Sequence, residues 1–384
     1  MSTSMDSGAK HPRVVVRVLA AWTASALLCA AQAATLVVGQ VAPMTGLEAG
    51  QGRAYARGME LYFDAVNKAG GVNGHTFSLV RRDDAGRPDE TLRQTQELLA
   101  TSNPMVLAGF FGSRNIAEVV NAGLLEKSRI ALVGYRAAEI VDDKPNLYGV
   151  RAGLRDELNR MVEHLGTVGI TRIGILHEDG TGAAAIVAAA TEAAGRAGAR
   201  IVAQAGHPAG TTRVGPGVDV LVKANPQAIL LVSSSGAAAA FVEQYREQGG
   251  RAQLFAHSGV DVEQMGKRLS DEQMQGVAIA QVTPSPYKVT SRLGRDLNEA
   301  VGKTKGADGA LSYPMMEGYI TARIIVEAVR RQGGRPTREG TIAALDSIDG
   351  LDVGGYVIGY KPGARRGSKF VELSIITGRG TVRQ

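Results

Sequence analysis

The chain has 384 residues, 44% of them hydrophobic and 21% charged, with a formal net charge of +6. Its basic residues are dispersed, the densest spots being the pairs Arg81-Arg82, Arg330-Arg331 and Arg365-Arg366, which argues against a nucleic-acid surface. A single cysteine, Cys29, excludes a disulfide framework, so hydrophobic cores must carry the fold.

The first segment reads as a targeting signal. Residues 1–17 are polar and hold Lys10, Arg13 and Arg17; an apolar run, Val18 to Ala31, follows and ends in Ala31-Gln32-Ala33. A basic start, a short apolar centre and a small-x-small site predict a signal peptide over 1–33, cleaved after Ala33. The run is short for a membrane span. Leu28 stands where a lipid-attachment site wants a small residue before Cys29, so release as a soluble periplasmic or secreted protein is expected. About 350 residues then remain, more than one core ordinarily serves, and two lobes are expected.

Beyond Ala33, short runs rich in Val and Ile alternate with longer amphipathic ones. Strands are predicted over 35–43, 76–84, 105–110, 130–135, 172–179, 200–206, 228–234, 254–259 and 277–282. Runs apolar throughout indicate strands covered on both faces, as in a parallel sheet. A helix over 52–69 puts Met59, Tyr62, Phe63 and Val66 on one face and stops at Gly70-Gly71. Another over 113–127 does the same with Ile116, Val119, Val120 and Leu124. Further helices are expected over 88–101, 155–168, 181–197, 213–224 and 236–248. The alternation occurs twice, near 35–150 and 170–282, which predicts two α/β units. After the prolines of "TPSPYK" come helical runs over 289–302, 314–332 and 337–347. The runs "GYVIGY" and "KFVELSII", joined by "KPGARRGS", read as a closing hairpin.

No catalytic constellation assembles. "GTGAAA" (180–185) spells G-x-G-x-x-A, but His177-Glu178-Asp179 separate it from its strand and no acid follows at the right distance. "GFFGSRN" (109–115) lacks the lysine of a phosphate loop. Ser285 and Lys288 spell S-x-x-K, which needs a helical turn that Pro284 and Pro286 oppose. His177-Glu178-Asp179 alternate across a strand, so a solvated strand end is expected rather than a metal site. The chain reads as a binder with no cofactor and no metal, not as an enzyme.

"VGQVAPMTG" (38–46), "GMELYFDAVNKAGGVNGHTFSLVRRDDAGRPDET" (58–91), "VRAGLRDE" (150–157) and "GSKFVELSII" (367–376) resemble type I periplasmic substrate-binding proteins, the leucine/isoleucine/valine-binding-like receptors of ABC transporters. The resemblance implies two flavodoxin-like (Rossmann-like) lobes with parallel sheets, joined by three hinge crossovers near 152–154, 281–284 and 353–356. Lobe 1 would comprise 34–152 plus 284–354, and lobe 2 153–283 plus 355–384. It implies a monomer that closes on a small polar organic ligand, amino-acid-like or an organic acid, and delivers it to an ABC permease. A ligand sensor of the same fold feeding a signalling partner is the alternative, and a Rossmann-type enzyme a more distant one.

The resemblance also implies site positions. Amino-acid-binding members hold the ligand carboxylate where a strand meets a helix, which aligns with Gly112 and Ser113. Ser113 is also the expected N-cap of the helix that follows, where free N–H groups and the positive dipole end favour an anion. The segment expected to carry a second hydroxyl offers Tyr135 and Arg136. Arg136 could add a second anion contact, since guanidinium pairs bidentately with carboxylate. Aromatic positions of the second lobe map to Thr181 and Ser234, and Gln51 completes the set. The acid that pairs with the ligand's ammonium maps to Ser258, with Asp261 the one carboxylate nearby. A buried ammonium without a charged partner costs several kcal/mol, whereas a micromolar complex rests on about 8 kcal/mol in all. The expected ligand is therefore an organic acid or an uncharged polar solute rather than a free α-amino acid.

Overall fold

The computed structural model describes residues 34–138, 143–304 and 310–377, with 1, 3, 4, 382 and 383. The expected signal segment, apart from 1, 3 and 4, lies outside the described residues.

From Ala34 the chain runs β1 (Thr35–Ala42), α1 (Ala49–Lys68), β2 (Thr76–Asp83), α2 (Pro88–Ser102), β3 (Val106–Ala108), α3 (Ser113–Asn121), α4 (Leu124–Lys127), β4 (Leu132–Val133) and β5 (Leu147–Tyr148). The second unit follows as α5 (Leu154–Thr167), β6 (Arg172–Glu178), α6 (Ala183–Arg196), β7 (Arg200–His207), α7 (Gly215–Ala224), β8 (Ala228–Val232), α8 (Ser235–Glu247), β9 (Gln253–Ala256), α9 (Val262–Met265), α10 (Asp271–Met274) and β10 (Ala278–Gln281). The chain returns to the first unit with α11 (Arg292–Gly302), α12 (Tyr313–Gln332), α13 (Arg338–Asp346), β11 (Leu351–Asp352), β12 (Val357–Lys361) and β13 (Ala364–Gly367). It ends on the second with β14 (Glu372–Ile376) and β15 (Val382–Arg383).

The first sheet has the order β2-β1-β3-β4-β5, parallel throughout. The second repeats that order as β7-β6-β8-β9-β10, and β14 and β15 extend it antiparallel. The strands stay parallel, but the order in which they are added reverses beside β1, toward β3, and beside β6, toward β8, so each lobe has a switch point. The uninterrupted apolar runs follow from burial on both faces. In β8, Ala228, Leu230 and Val232 enter the core shared with α5 and α6, while Ile229 and Leu231 enter the opposite core with α7 and α8.

Three expectations are corrected. The predicted helix over 113–127 is broken at Gly123, whose φ of 65° ends α3 and starts α4. The closing hairpin does not join "GYVIGY" to "KFVELSII": β12 pairs with β13 inside the expected connection, and β14 pairs with β10 in the other sheet. Tyr356, Ile358 and Tyr360 belong to the first lobe's core, whereas Val371 and Leu373 pack on the second. The third crossover thus lies between Gly367 and Val371, not at 353–356. Val150 and Leu154 fall in different cores, which places the first crossover between them. The Tyr356 hydroxyl lies 2.8 Å from the carbonyl oxygens of both Val150 and Val282, holding the first two crossovers together.

Helices α1 and α12 cross at Gly58 and Gly318. A Cβ on Gly318 would lie 2.0 Å from the Tyr55 carbonyl oxygen, and one on Gly58 2.0 Å from that of Met315. This approach sets the position of Glu317, which sits at the hinge. Its Oε2 lies 3.7 Å from Arg136 Nε and 3.6 Å from Arg151 Nη1. Arg151, on the first crossover, donates to Glu157 Oε1 (3.0 Å) at the start of α5. Glu157 accepts the Ser258 N–H (2.6 Å) and hydroxyl (2.8 Å), and Arg136 Nη2 donates to the Ser258 carbonyl (2.8 Å). These four charges are at most 6% exposed. Two arginines and two glutamates cancel, and their contacts run from one lobe through the hinge to the other.

Removing one member of a buried ion network leaves an uncompensated charge, at a cost of about 3–5 kcal/mol. Glu317→Ala should lower urea-unfolding stability by that amount; a loss under about 1 kcal/mol would mean these ions are effectively solvated. Gly318→Ala, which forces α1 and α12 apart, should cost about 1–3 kcal/mol in the same measurement, and no change would refute the close crossing.

Candidate functional site

A cleft with about 980 Å³ of empty space, its open mouth included, lies between the lobes. Its walls are the carboxyl ends of strands at both switch points: Pro43 after β1, Phe111–Ser113 after β3 and Arg136–Ala138 after β4 face Glu178 and Asp179 at β6 and Val232–Ser234 at β8. Open parallel sheets place ligands there because the loops and helix starts at a switch point diverge and leave a crevice.

On the first lobe, Gly112 rather than Ser113 occupies the N-cap of α3, with φ 97°. A side chain there would meet Asn115 Oδ1 at 2.7 Å. Asn115 is itself fixed by donating to Thr91 Oγ1 at 2.7 Å. Ser113 is the first helical residue. Its Oγ accepts the Ala138 N–H at 3.0 Å, which leaves the hydroxyl hydrogen available to donate. Arg136 reaches the cleft but is held by Ser258 and Glu317 and lies 5.6 Å from the Phe111 ring centroid. It is therefore built into the hinge and only partly free for an anion.

On the second lobe, Ser234 lines the cleft and caps α8, accepting the Ala237 N–H at 3.4 Å. Its own N–H donates to Glu178 Oε1 at 3.3 Å. His257 is buried, which pulls its pKa down and keeps the ring neutral near pH 7. Its Nδ1 accepts the Gly259 N–H (3.1 Å), so Nε2 carries the proton, facing the Ser233 carbonyl oxygen at 3.0 Å.

Of the residues expected from sequence, Gly112, Ser113, Arg136 and Ser234 line this cleft; the others do not. Ser258 is turned into the hinge network, because Glu157 satisfies both its N–H and its hydroxyl. Tyr135 lines a smaller pocket with Arg151, Leu154 and Arg366. Thr181 is exposed, outside the cleft lining. Gln51 is buried at the lobe boundary, where its Nε2 lies 2.6 Å from Glu48 Oε2, 2.9 Å from Ser235 Oγ and 3.1 Å from the Gly259 carbonyl oxygen. It ties the lobes together beside the cleft rather than lining it.

The three acidic lining residues, Glu48, Glu178 and Asp179, are not among those expected from sequence. The last two were read as a solvated strand end, although their place at the end of the second unit's first strand, mirroring Pro43 in the first, could have marked them. Asp261 instead caps α9, its Oδ1 accepting the Gln264 N–H at 2.9 Å. The cleft thus holds carboxyl groups away from the Ser258 position, where the sequence offers Asp261 as the one carboxylate nearby. Burial pushes the Glu48 carboxyl up to about 7, against the opposing pull of the Gln51 hydrogen bond and of Arg136. Among the described residues no cluster of His, Cys, Asp and Glu could hold a metal. Ser285 and Lys288 lie in the loop before α11, so no helix aligns them.

The family described as periplasmic binding protein matches residues 35–368. The Leu/Ile/Val-binding protein homolog 8 of Brucella abortus is 24% identical over 358 residues, 88% of this chain and 87% of that one. A substrate-binding periplasmic protein from Ralstonia solanacearum superposes with a TM-score of 0.85 at 34% identity, covering 90% of this chain and 99% of the other. A solute-binding protein of an ABC transporter from Rhodopseudomonas palustris, solved with 3,4-dihydroxybenzoic acid, has the same fold, with a TM-score of 0.75 at 21% identity over 89% of this chain and 93% of its own. With two switch-point lobes facing across a hinged cleft and a family match over most of its length, this chain belongs to the periplasmic binding protein family.

Proposed function

We propose that this protein is an extracytoplasmic solute receptor that captures a small amino-acid-like zwitterion between its lobes and hands it to an ABC permease. The observation that carries the reading is the polarity of the cleft. One wall offers the Ser113 hydroxyl and the first N–H groups of α3; the cleft also holds the carboxyl groups of Glu48, Glu178 and Asp179. Arg136 and Arg151 are already neutralised by Glu317 and Glu157. The remaining groups therefore suit a solute with a carboxylate at one end and a cationic group at the other.

The names of the Leu/Ile/Val-binding homologues support an amino-acid-like ligand. The basic-apolar-small pattern of residues 1–33 supports export across a membrane, with cleavage after Ala33. Closure by Gln51, which bridges to Ser235 and Gly259, gives the bound state a shape that a permease can distinguish from the open one. The receptor acts as a monomer, without cofactor and without a chemical step.

A thermal-shift screen against amino acids, aliphatic and aromatic acids, amides and sugars tests this. Solute at 100 times its Kd should add about 2.7 kcal/mol of stability, and amino acids should give the largest shifts. Larger shifts with sugars or amides would refute the zwitterion. Ser113→Ala removes one hydrogen bond to a charged group and should weaken binding by about 1.5–3 kcal/mol in calorimetric titration. Unchanged affinity would reduce Ser113 to a link between α3 and Ala138.

A further inference from the structure

We propose that Glu48 supplies the carboxylate that pairs with the cationic end of the solute, from the first lobe, in place of the second-lobe acid whose position Ser258 holds. The assignment rests on the reading of the cleft as a zwitterion site and names the residue that decides its selectivity.

Each other acid near the cleft has a competing role or a different setting. Asp261 caps α9. Glu178 Oε1 accepts the Ser234 N–H, and Asp179 is exposed to water. Glu157 and Glu317 are consumed by the hinge. Glu48 differs. Its Oε2 accepts from Gln51 at 2.6 Å, but its Oε1 is buried and accepts no hydrogen bond, alone among the carboxylate oxygens of the described cleft-lining residues. A buried carboxylate oxygen without a donor is costly, and a solute ammonium would remove that cost.

The charged groups around Glu48 set the sign of the effect. Arg136, from the loop after β4, favours the carboxylate, whereas Glu178 at the end of β6 and Asp261 before α9 oppose it. Lys267 reaches toward the adjacent Gly50, and His257 across the cleft is kept uncharged by burial. Burial dominates and raises the carboxyl to about 7 from the ordinary carboxylate range. In an open cleft water solvates Glu48, and it ionises as an ordinary carboxylic acid. Closure over a solute that brings a cation keeps it ionised. Closure over a solute without one forces it to take up a proton, which becomes harder as pH rises. Discrimination against the uncharged analogue thus builds up from about pH 5, is largely present at neutral pH and levels off above it.

The test compares amino acids with their des-amino acids by calorimetric titration of the chain from Ala34 onward: L-leucine with isocaproate, L-phenylalanine with hydrocinnamate, and L-glutamate with glutarate. For the pair that binds, the wild type should favour the amino acid by on the order of a hundredfold at about pH 7, with the ratio rising about tenfold from about pH 6 to about pH 8. Glu48→Gln keeps an acceptor for Gln51. It should bring the ratio to within about threefold and remove its pH dependence, with thermal unfolding of the unliganded protein unchanged. If the variant keeps the wild-type ratio and profile, or if the des-amino acid binds more tightly to the wild type, the assignment of Glu48 fails while the solute-receptor reading stands. If the wild type binds no member of any pair, the zwitterion reading fails and the assignment falls with it.

Discussion

Four buried charges at the hinge constrain most of what this molecule can do. Desolvating two guanidinium and two carboxylate groups is tolerable only if each is paired in a fixed geometry, so the chain must bring together segments distant in sequence. Glu317 comes from α12, whose crossing with α1 is tight enough to require glycine at 58 and 318. Arg136 comes from the loop after β4, Arg151 from the first crossover, and Glu157 from the first turn of α5. Ser258 closes the circuit by satisfying Glu157 with its N–H and hydroxyl while its carbonyl receives Arg136. The lobes are therefore joined by charge-assisted contacts as well as by chain crossovers.

That constraint propagates into the cleft. Because Ser258 serves the hinge, it is removed from the ligand; because Arg136 and Arg151 are neutralised from below, they add little net positive potential above. The polarity left to the cleft comes from the start of α3 and from Glu48, Glu178 and Asp179. Gln51 places one side chain against Glu48 in its own lobe and against Ser235 and Gly259 in the other, so the carboxyl beside the solute and the contact that holds the lobes together share a partner. In the proposed reading, closure and selectivity are thereby linked through a single turn at the start of α1.

The two α/β units are readable because burial on both faces writes itself into composition: the AILLV run of β8 alternates between two cores. Helix starts and stops followed local rules, as at Ser312 and Thr337, whose hydroxyls accept the first free N–H groups of α12 and α13. What depends on distant partners was not readable. The two-residue strand β5 exists because β4 pairs with it and the Gly149 N–H just after it donates to the Arg365 carbonyl oxygen at 2.7 Å, and nothing in Leu147-Tyr148 itself announces a strand. The closing hairpin was misjudged because Tyr356, Ile358 and Tyr360 prefer the first core, a choice made by packing rather than by pattern. Ser258 was correctly seen to lack a charge, yet its engagement with Glu157, 101 positions away, left no local mark. Glu48, directly before α1, carries no local mark that sets it apart from a solvated acid.

Two lobes that close on a solute held between them must change their separation when it binds. Cys29 is the only cysteine in the chain, so residues from Ala34 onward can carry spin labels at introduced cysteines alone. Arg87 and Thr211 adjoin Gly86 and Gly210, which line the cleft from opposite lobes. Pulsed electron-electron resonance between labels at these two positions, on protein refolded from denaturant to strip carried-over solute, measures the opening directly. A longer, broader distance distribution is expected without solute and a single shorter distance once a solute identified by thermal shift is added. An identical distribution in both conditions would contradict closure.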